Sequence, residues 1–236
     1  MREQAIRAEG LVRTYPGGVG VHGIDLEVAF GEVHALVGLN GAGKTTLMRL
    51  LLGMLRADSG TVAVGARWSG VGHTVDEPFG YPDLTTLANL AVAARLRGVP
   101  KGKVGEVSAA AIADLGLEAY ATRRARTLSQ GNLQRLNLAA ALQHHPRVLV
   151  LDEPTSALDP RGVILLRTEL RRRAAHGAGV LVSSHHLDEV ARIADRITVI
   201  NHGAVIGLLD PGGTDIERDF FALVLADDES RTGQME

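Results

Sequence analysis

Polar and apolar positions alternate or recur along most of this chain with a readable period. Ile24-Asp25-Leu26-Glu27-Val28 alternates with period two. That is the pattern of a half-exposed antiparallel strand. Residues 1–30 as a whole read as short strands and turns, with a turn at Pro16-Gly17-Gly18. Val33-His34-Ala35-Leu36-Val37 is a short, almost wholly apolar run that stops at Gly38. Leu47, Leu50, Leu51 and Met54 then recur at helical spacing from Lys44, and Gly53 and Ala57-Asp58-Ser59-Gly60 close that segment. Residues 61–75 return to strand-like composition. Thr85 caps a predicted helix bearing Leu87, Leu90, Ala91 and Ala94, with Gly98 and Pro100 beyond its end. Gly98 to Gly105 reads as a mobile connection. Further helices are predicted near 106–115 and 132–144.

Strand and helix then alternate. Val148–Leu151 is a buried-strand run, and Asp159-Pro160 opens a helix that stops near Gly177. Val180–Val182, a helix through Val190 and Ala194, and Ile197–Ile200 continue the series. Such alternation predicts an α/β fold with a mostly parallel sheet. One unit is expected from the length of 236 residues. Its sheet core and a small antiparallel part occupy 1–76 and 146–226, an all-helical insertion occupies 77–145, and a polar tail that frays occupies 227–236.

Composition removes several classes of function. There are 25 Lys and Arg against 27 Asp and Glu, a formal net charge of −2. No strong basic excess marks a nucleic-acid binder, so no nucleic-acid partner is expected. Cysteine is absent, which excludes disulfides, thiolate catalysis and Cys-ligated metals. With 1 Trp, 3 Tyr and 4 Phe the core must be aliphatic. No apolar run approaches the roughly 18 residues of a membrane helix. The start, Met1-Arg2-Glu3-Gln4, opens no signal peptide. The expected location is cytoplasmic.

Gly38-Leu39-Asn40-Gly41-Ala42-Gly43-Lys44-Thr45 fits G-x-x-x-x-G-K-[ST] at every fixed position, between an apolar strand and an amphipathic helix. Its glycines let successive N–H groups point at phosphate oxygens. The helix N-terminus adds about half a positive charge. Lys44 supplies a point charge to the β- and γ-phosphates, and Thr45, followed by Thr46, a hydroxyl for Mg²⁺. Asp152 and Glu153 follow the Val148–Leu151 strand, at the sheet edge where α/β ligands bind. Neighbouring strand residues point to opposite sides, so the two acids have different tasks. Asp152 suits the Mg²⁺ shell, and Glu153 suits polarising an attacking water. A GTPase lacks support without an Asn-Lys-x-Asp motif, and a serine hydrolase without G-x-S-x-G. The adjacent pairs His144-His145 and His185-His186 do not converge on one metal. Arg171–Arg173 and the Arg123, Arg124, Arg126 cluster read as solvated helix faces.

With these motifs in order, the chain resembles the ATP-binding cassette family, the nucleotide-binding subunits of ABC transporters. Leu128-Ser129-Gln130-Gly131-Asn132 resembles the family signature L-S-G-G-Q, with Gln130 and Asn132 departing from it. Ser156-Ala157-Leu158-Asp159 matches the loop after the catalytic glutamate, Ser184-His185 the switch histidine, and Tyr15 the aromatic that stacks on adenine. The resemblance implies a RecA-like P-loop NTPase core. It implies MgATP hydrolysis in which Lys44, Glu153 and His185 are catalytic. ATP would be bound by Tyr15, Gly38, Asn40, Gly41, Ala42, Gly43, Lys44, Thr45, Thr46, Ser129 and Gly131. Thr45, Asp152 and Asp76 would hold Mg²⁺, Asp76 standing where the family usually has a glutamine. Ser129 and Gly131 would face the γ-phosphate of a second protomer, in a homodimer or heterodimer of cassettes with ATP at the interface. An integral membrane permease would be the partner, docked near Phe79-Gly80-Tyr81-Pro82, which places the chain at the inner face of the membrane. The acidic Asp76 resembles drug-, antibiotic- and bacteriocin-immunity exporters, so export is the expected direction. A soluble cassette of the iron–sulfur-assembly kind is the alternative. A nucleotide-gated module without hydrolysis is a third reading, opposed by Glu153.

Overall fold

The computed structural model describes residues 3–76, 78 and 80–233. Two long strands open the chain, β1 (Gln4–Thr14) and β2 (Gly20–Ala29). They pair antiparallel, and β4 (Ser59–Val64) joins the other edge of β1. These strands are longer than the short ones expected. The β1–β2 pairing is irregular between Ala8 and Leu11, around Gly10 at φ 56°, a break that masks the period-two pattern in the sequence.

The main sheet has the order β5-β6-β7-β3-β8-β9. Its strands are β3 (Val33–Val37), β5 (Val71–His73), β6 (Val148–Leu151), β7 (Gly179–Ser184), β8 (Arg196–Asn201) and β9 (Ala204–Leu209). All neighbours are parallel except β9, which returns antiparallel along β8. The apolar runs have a simple cause: both faces of the sheet are covered. On β3, Val33, Ala35 and Val37 enter one core cluster, and Leu36 enters the other. The second cluster holds the antiparallel sheet and helix α1 (Lys44–Leu51).

Helices α2 (Thr86–Leu96), α3 (Val104–Asp114) and α4 (Gln130–Leu142) contribute Leu90, Ala111, Ile112, Leu136 and Leu138 to the first cluster. Thr85 caps α2 by accepting from Ala88 N at 3.1 Å. Helix α5 (Pro160–Ala175) is capped by Asp159, which accepts from Gly162 N at 2.9 Å. The Gly98–Gly105 connection contains a tight turn at Lys101–Lys103 that leads into α3. Met54 falls outside α1 and is exposed, because Gly53 at φ 67° turns the chain first. Helix α6 (Leu187–Ala191) is a single short stretch. The tail departs from expectation. Asp227 does not begin a frayed end, because α7 (Ile216–Thr232) continues through it. Asp227 and Asp228 accept from Asn201 Nδ2 at 3.0 and 2.9 Å, anchoring polar residues that composition alone reads as solvated. Among the described residues no helix is long and apolar enough to cross a membrane.

Candidate nucleotide site

The loop from Gly38 to Lys44 joins the C-terminal end of β3 to the N-terminus of α1. Its shape depends on two glycines in particular. Gly43 caps α1 at φ 104°, a conformation costly for any residue with a Cβ. At Gly38 a Cβ would lie 2.3 Å from the Ile200 carbonyl oxygen. Lys44 is buried, and its Nζ donates to the carbonyls of Gly38 and Leu39 at 2.7 and 3.3 Å. The ammonium group is thereby folded back over its own loop.

From Lys44 a continuous run of polar contacts crosses three strand ends. Lys44 Nζ lies 3.5 Å from Glu153 Oε1. His185 Nδ1 lies 2.8 Å from Glu153 Oε2. Thr45 Oγ1 donates to Asp152 Oδ2 at 2.6 Å. Parallel pairing of β6, β7 and β3 places all these groups on one edge. Glu153 has φ 44°, a strained conformation for a residue with a side chain. Its carboxylate faces Lys44 and His185. Ser183 completes the arrangement and is a residue that sequence reasoning missed. Its hydroxyl donates to Asp152 Oδ1 and accepts from Glu153 N at 2.8 Å. The available signal was a serine pair closing the Val180–Val182 run, where a buried hydroxyl needs a partner.

The Thr45 hydroxyl and Asp152 carboxylate form an oxygen-only set beside a phosphate loop, which fits a hard cation such as Mg²⁺. Asp76, the third residue expected to hold Mg²⁺, has a basic partner. It has φ 74°, and its carboxylate is held by Arg49 of α1, with Nε at 2.6 Å from Oδ1. Arg49, the partner of this carboxylate, lies one helical turn beyond Thr45.

Tyr15 is half-buried under the Arg13 guanidinium, 5.2 Å from its ring centroid. Its turn runs into Gly20, whose carbonyl oxygen lies 3.0 Å from a Cβ built on Gly43. Ser129 and Gly131 stand elsewhere, at the start of α4. Ser129 Oγ accepts from Asn132 N at 3.4 Å, as an N-cap. They share a concavity with Tyr120, Arg135, Ala157 and Asp159. Contacts with the 154–159 loop connect this region to the segment that follows Glu153. Gln134 Nε2 donates to Pro154 O at 3.2 Å, Arg135 pairs with Asp159, and Gly131 leaves room for Ala157 O. Of the proposed docking loop, Phe79 lies outside the described residues, as does Glu77. Tyr81 is half exposed.

Comparison with known proteins bears on the family and the fold. The family model "ABC transporter" matches residues 21–156. The chain is 36% identical over 222 residues to ribose import ATP-binding protein RbsA 1 of Burkholderia thailandensis, covering 88% of this chain and 44% of the relative. It is 36% identical over 219 residues to RbsA 1 of Streptomyces avermitilis, with 87% and 42% coverage. The chain therefore spans less than half the length of these relatives. Among solved structures, an ATP-binding subunit of an ABC transporter superposes with a TM-score of 0.80 at 25% identity, over 93% of this chain and 94% of that one. CbiO1 of Clostridium perfringens, part of an ABC transporter complex, gives 0.75 at 25% identity over 99% and 98%. The fold is the RecA-like P-loop NTPase fold with helical insertions. The relatives correct one expectation. They are ribose-import proteins, so the likeness to drug and antibiotic exporters drawn from Asp76 does not hold. One acidic residue clasped by Arg49 on the ATP-binding subunit carries no information on cargo.

Proposed function

Because this chain belongs to the ABC transporter family, we propose that it hydrolyses ATP to drive a solute through a separate membrane-embedded permease. The observation that carries the reading is the unbroken contact path Lys44–Glu153–His185 beside Thr45–Asp152, on one sheet edge. Lys44 exchanges its bonds to the loop carbonyls for the β- and γ-phosphates of ATP, while the backbone of Asn40 to Thr46 cradles them. Thr45 and Asp152 would hold Mg²⁺, which supplies positive charge against the phosphates. Glu153 accepts the proton side of an attacking water. His185 holds the second carboxylate oxygen so that the first faces inward. Ser183 fixes both acids at once. Such a site works by positioning and charge stabilisation.

Ser129 and Gly131 line a concavity at the start of α4 to which Lys44, Glu153 and His185 do not contribute, and they complete the site of a second cassette, identical or related. A two-fold arrangement uses both surfaces of each chain. The helices of 77–145 then act as the arm presenting Ser129, attached to the sheet core of 1–76 and 146–226. Tyr15 supplies the adenine face. The permease holds the chain at the inner face of the membrane. Import is the direction supported by the ribose-import relatives.

The test is association. Glu153→Gln should bind MgATP, lose turnover by at least roughly 10²-fold, and elute as a dimer from size exclusion only with ATP. A monomer at saturating ATP would remove Ser129 and Gly131 from the nucleotide site.

A further inference from the structure

The phosphate loop rests on a hairpin that no nucleotide contact requires. Residues His202 and Gly203 connect β8 to β9 as a two-residue turn, with φ 44° and 75°. Positive φ at both positions is the geometry of a tight antiparallel hairpin. Gly203 N donates to Ala42 O at 2.9 Å, and Gly203 O accepts from His22 N at 2.8 Å. A Cβ on Gly43 would lie 3.3 Å from Gly203 Cα, and one on Gly38 would lie 2.3 Å from Ile200 O. Residues 200–203 therefore touch both ends of the phosphate loop. The fit is close on the far side too, since a Cβ on Gly203 would lie 2.1 Å from Gly20 O.

The opposite side of this hairpin is held by α7. Asn201 is buried and donates through Nδ2 to Asp227 Oδ2 and Asp228 Oδ1, at 3.0 and 2.9 Å. His202 Nε2 lies 3.0 Å from the same Asp228 oxygen, and Arg231 Nε donates to Asp227 Oδ2 at 2.9 Å. The buried Asn201 amide, with the His202 ring beside it, thus joins α7 to the seat of the loop. We propose that Asn201 is a positioning residue for ATP binding: clasped by Asp227 and Asp228, it fixes the hairpin that supports Gly38, Ala42 and Gly43. The C-terminal helix thereby sets nucleotide affinity from behind the site, without touching ATP. This rests on the ATP-binding reading above.

Amide hydrogen exchange on the full chain without nucleotide tests the mechanical claim by itself. Asp227→Ala/Asp228→Ala removes the acceptors from a helix that tolerates alanine. Exchange should rise about tenfold at residues 39–46 and 201–203, with β6 and β7 unchanged. A loosened hairpin with unchanged exchange at 39–46 overturns the proposal, as does a uniform rise over the whole chain. MgATP titration and turnover supply the functional arm. The same variant should weaken ATP binding by about tenfold and raise KM while leaving kcat in place. Asn201→Asp should do likewise through repulsion from both carboxylates, and Asn201→Asp/Asp227→Asn/Asp228→Asn should recover affinity by exchanging donor and acceptors. Unchanged affinity in both the double-alanine variant and Asn201→Asp, or no recovery in the exchanged set, contradicts Asn201 as positioning residue. If the unaltered chain binds no ATP, the nucleotide reading fails, while the exchange arm still decides whether the hairpin braces the loop.

Discussion

At the scale of single residues, the site depends on side chains that hold one another. Lys44 and His185 both face the Glu153 carboxylate, and Ser183 ties Asp152 to the Glu153 backbone. Ser183→Ala should leave ATP affinity within about threefold yet lower turnover about tenfold or more, because it releases both acids. Steady-state phosphate release against ATP concentration separates the two effects. Another buried group governs stability instead. His34 sits between the sheets, with Nε2 2.7 Å from Thr198 Oγ1 and Nδ1 3.0 Å from Glu27 O. Burial, helped by nearby Arg196, lowers its pKa to about 3. Burial likewise lowers His73 and His144 to about 4, helped by Arg97. Unfolded, each takes up a proton near pH 6.5. Their contribution is therefore complete above pH 6.5 and lost as pH falls through 6.5 toward 3–4. Between pH 7.5 and 5 His34 alone should lower unfolding free energy by about 2 kcal/mol. Urea titrations at the two pH values should show a smaller drop for His34→Gln. An equal drop would place the acid sensitivity elsewhere.

At the scale of elements, legibility followed the range of the interactions. The phosphate loop, the β6 run before Asp152 and the Asp159-Pro160 helix start are local patterns, and each lies where its residues predict. Elements whose identity depends on distant partners were harder to read. β9 is an edge strand with mixed burial, and α7 has a polar end. Nothing near Asp227 in the chain announces that Asn201 will receive it. The same holds for Asp76, whose partner Arg49 is 27 residues away. Helix α4 shows the packing side. Leu136 is fully buried in the cluster shared with β3, β6 and α5. Leu136→Ala should cost about 2–5 kcal/mol through lost burial and the cavity left behind. Denaturant unfolding measures it, and a change below 1 kcal/mol would mean that α4 is not anchored there.

At the scale of the whole molecule, the residues assigned to the nucleotide site lie on two separate surfaces. One presents the phosphate loop, Asp152, Glu153 and His185; the other presents Ser129 and Gly131 through α4. The 154–159 loop joins them, through Gln134 to Pro154 and Arg135 to Asp159. The central claim, that Lys44 binds ATP and Glu153 turns it over, is tested most directly by one paired measurement. MgATP binding and phosphate release are followed for the unaltered chain, Lys44→Ala and Glu153→Gln. The account predicts binding and release in the first, loss of binding by at least about tenfold in the second, and binding without release in the third. Release retained by Glu153→Gln, or ATP affinity unaffected by Lys44→Ala, would contradict it.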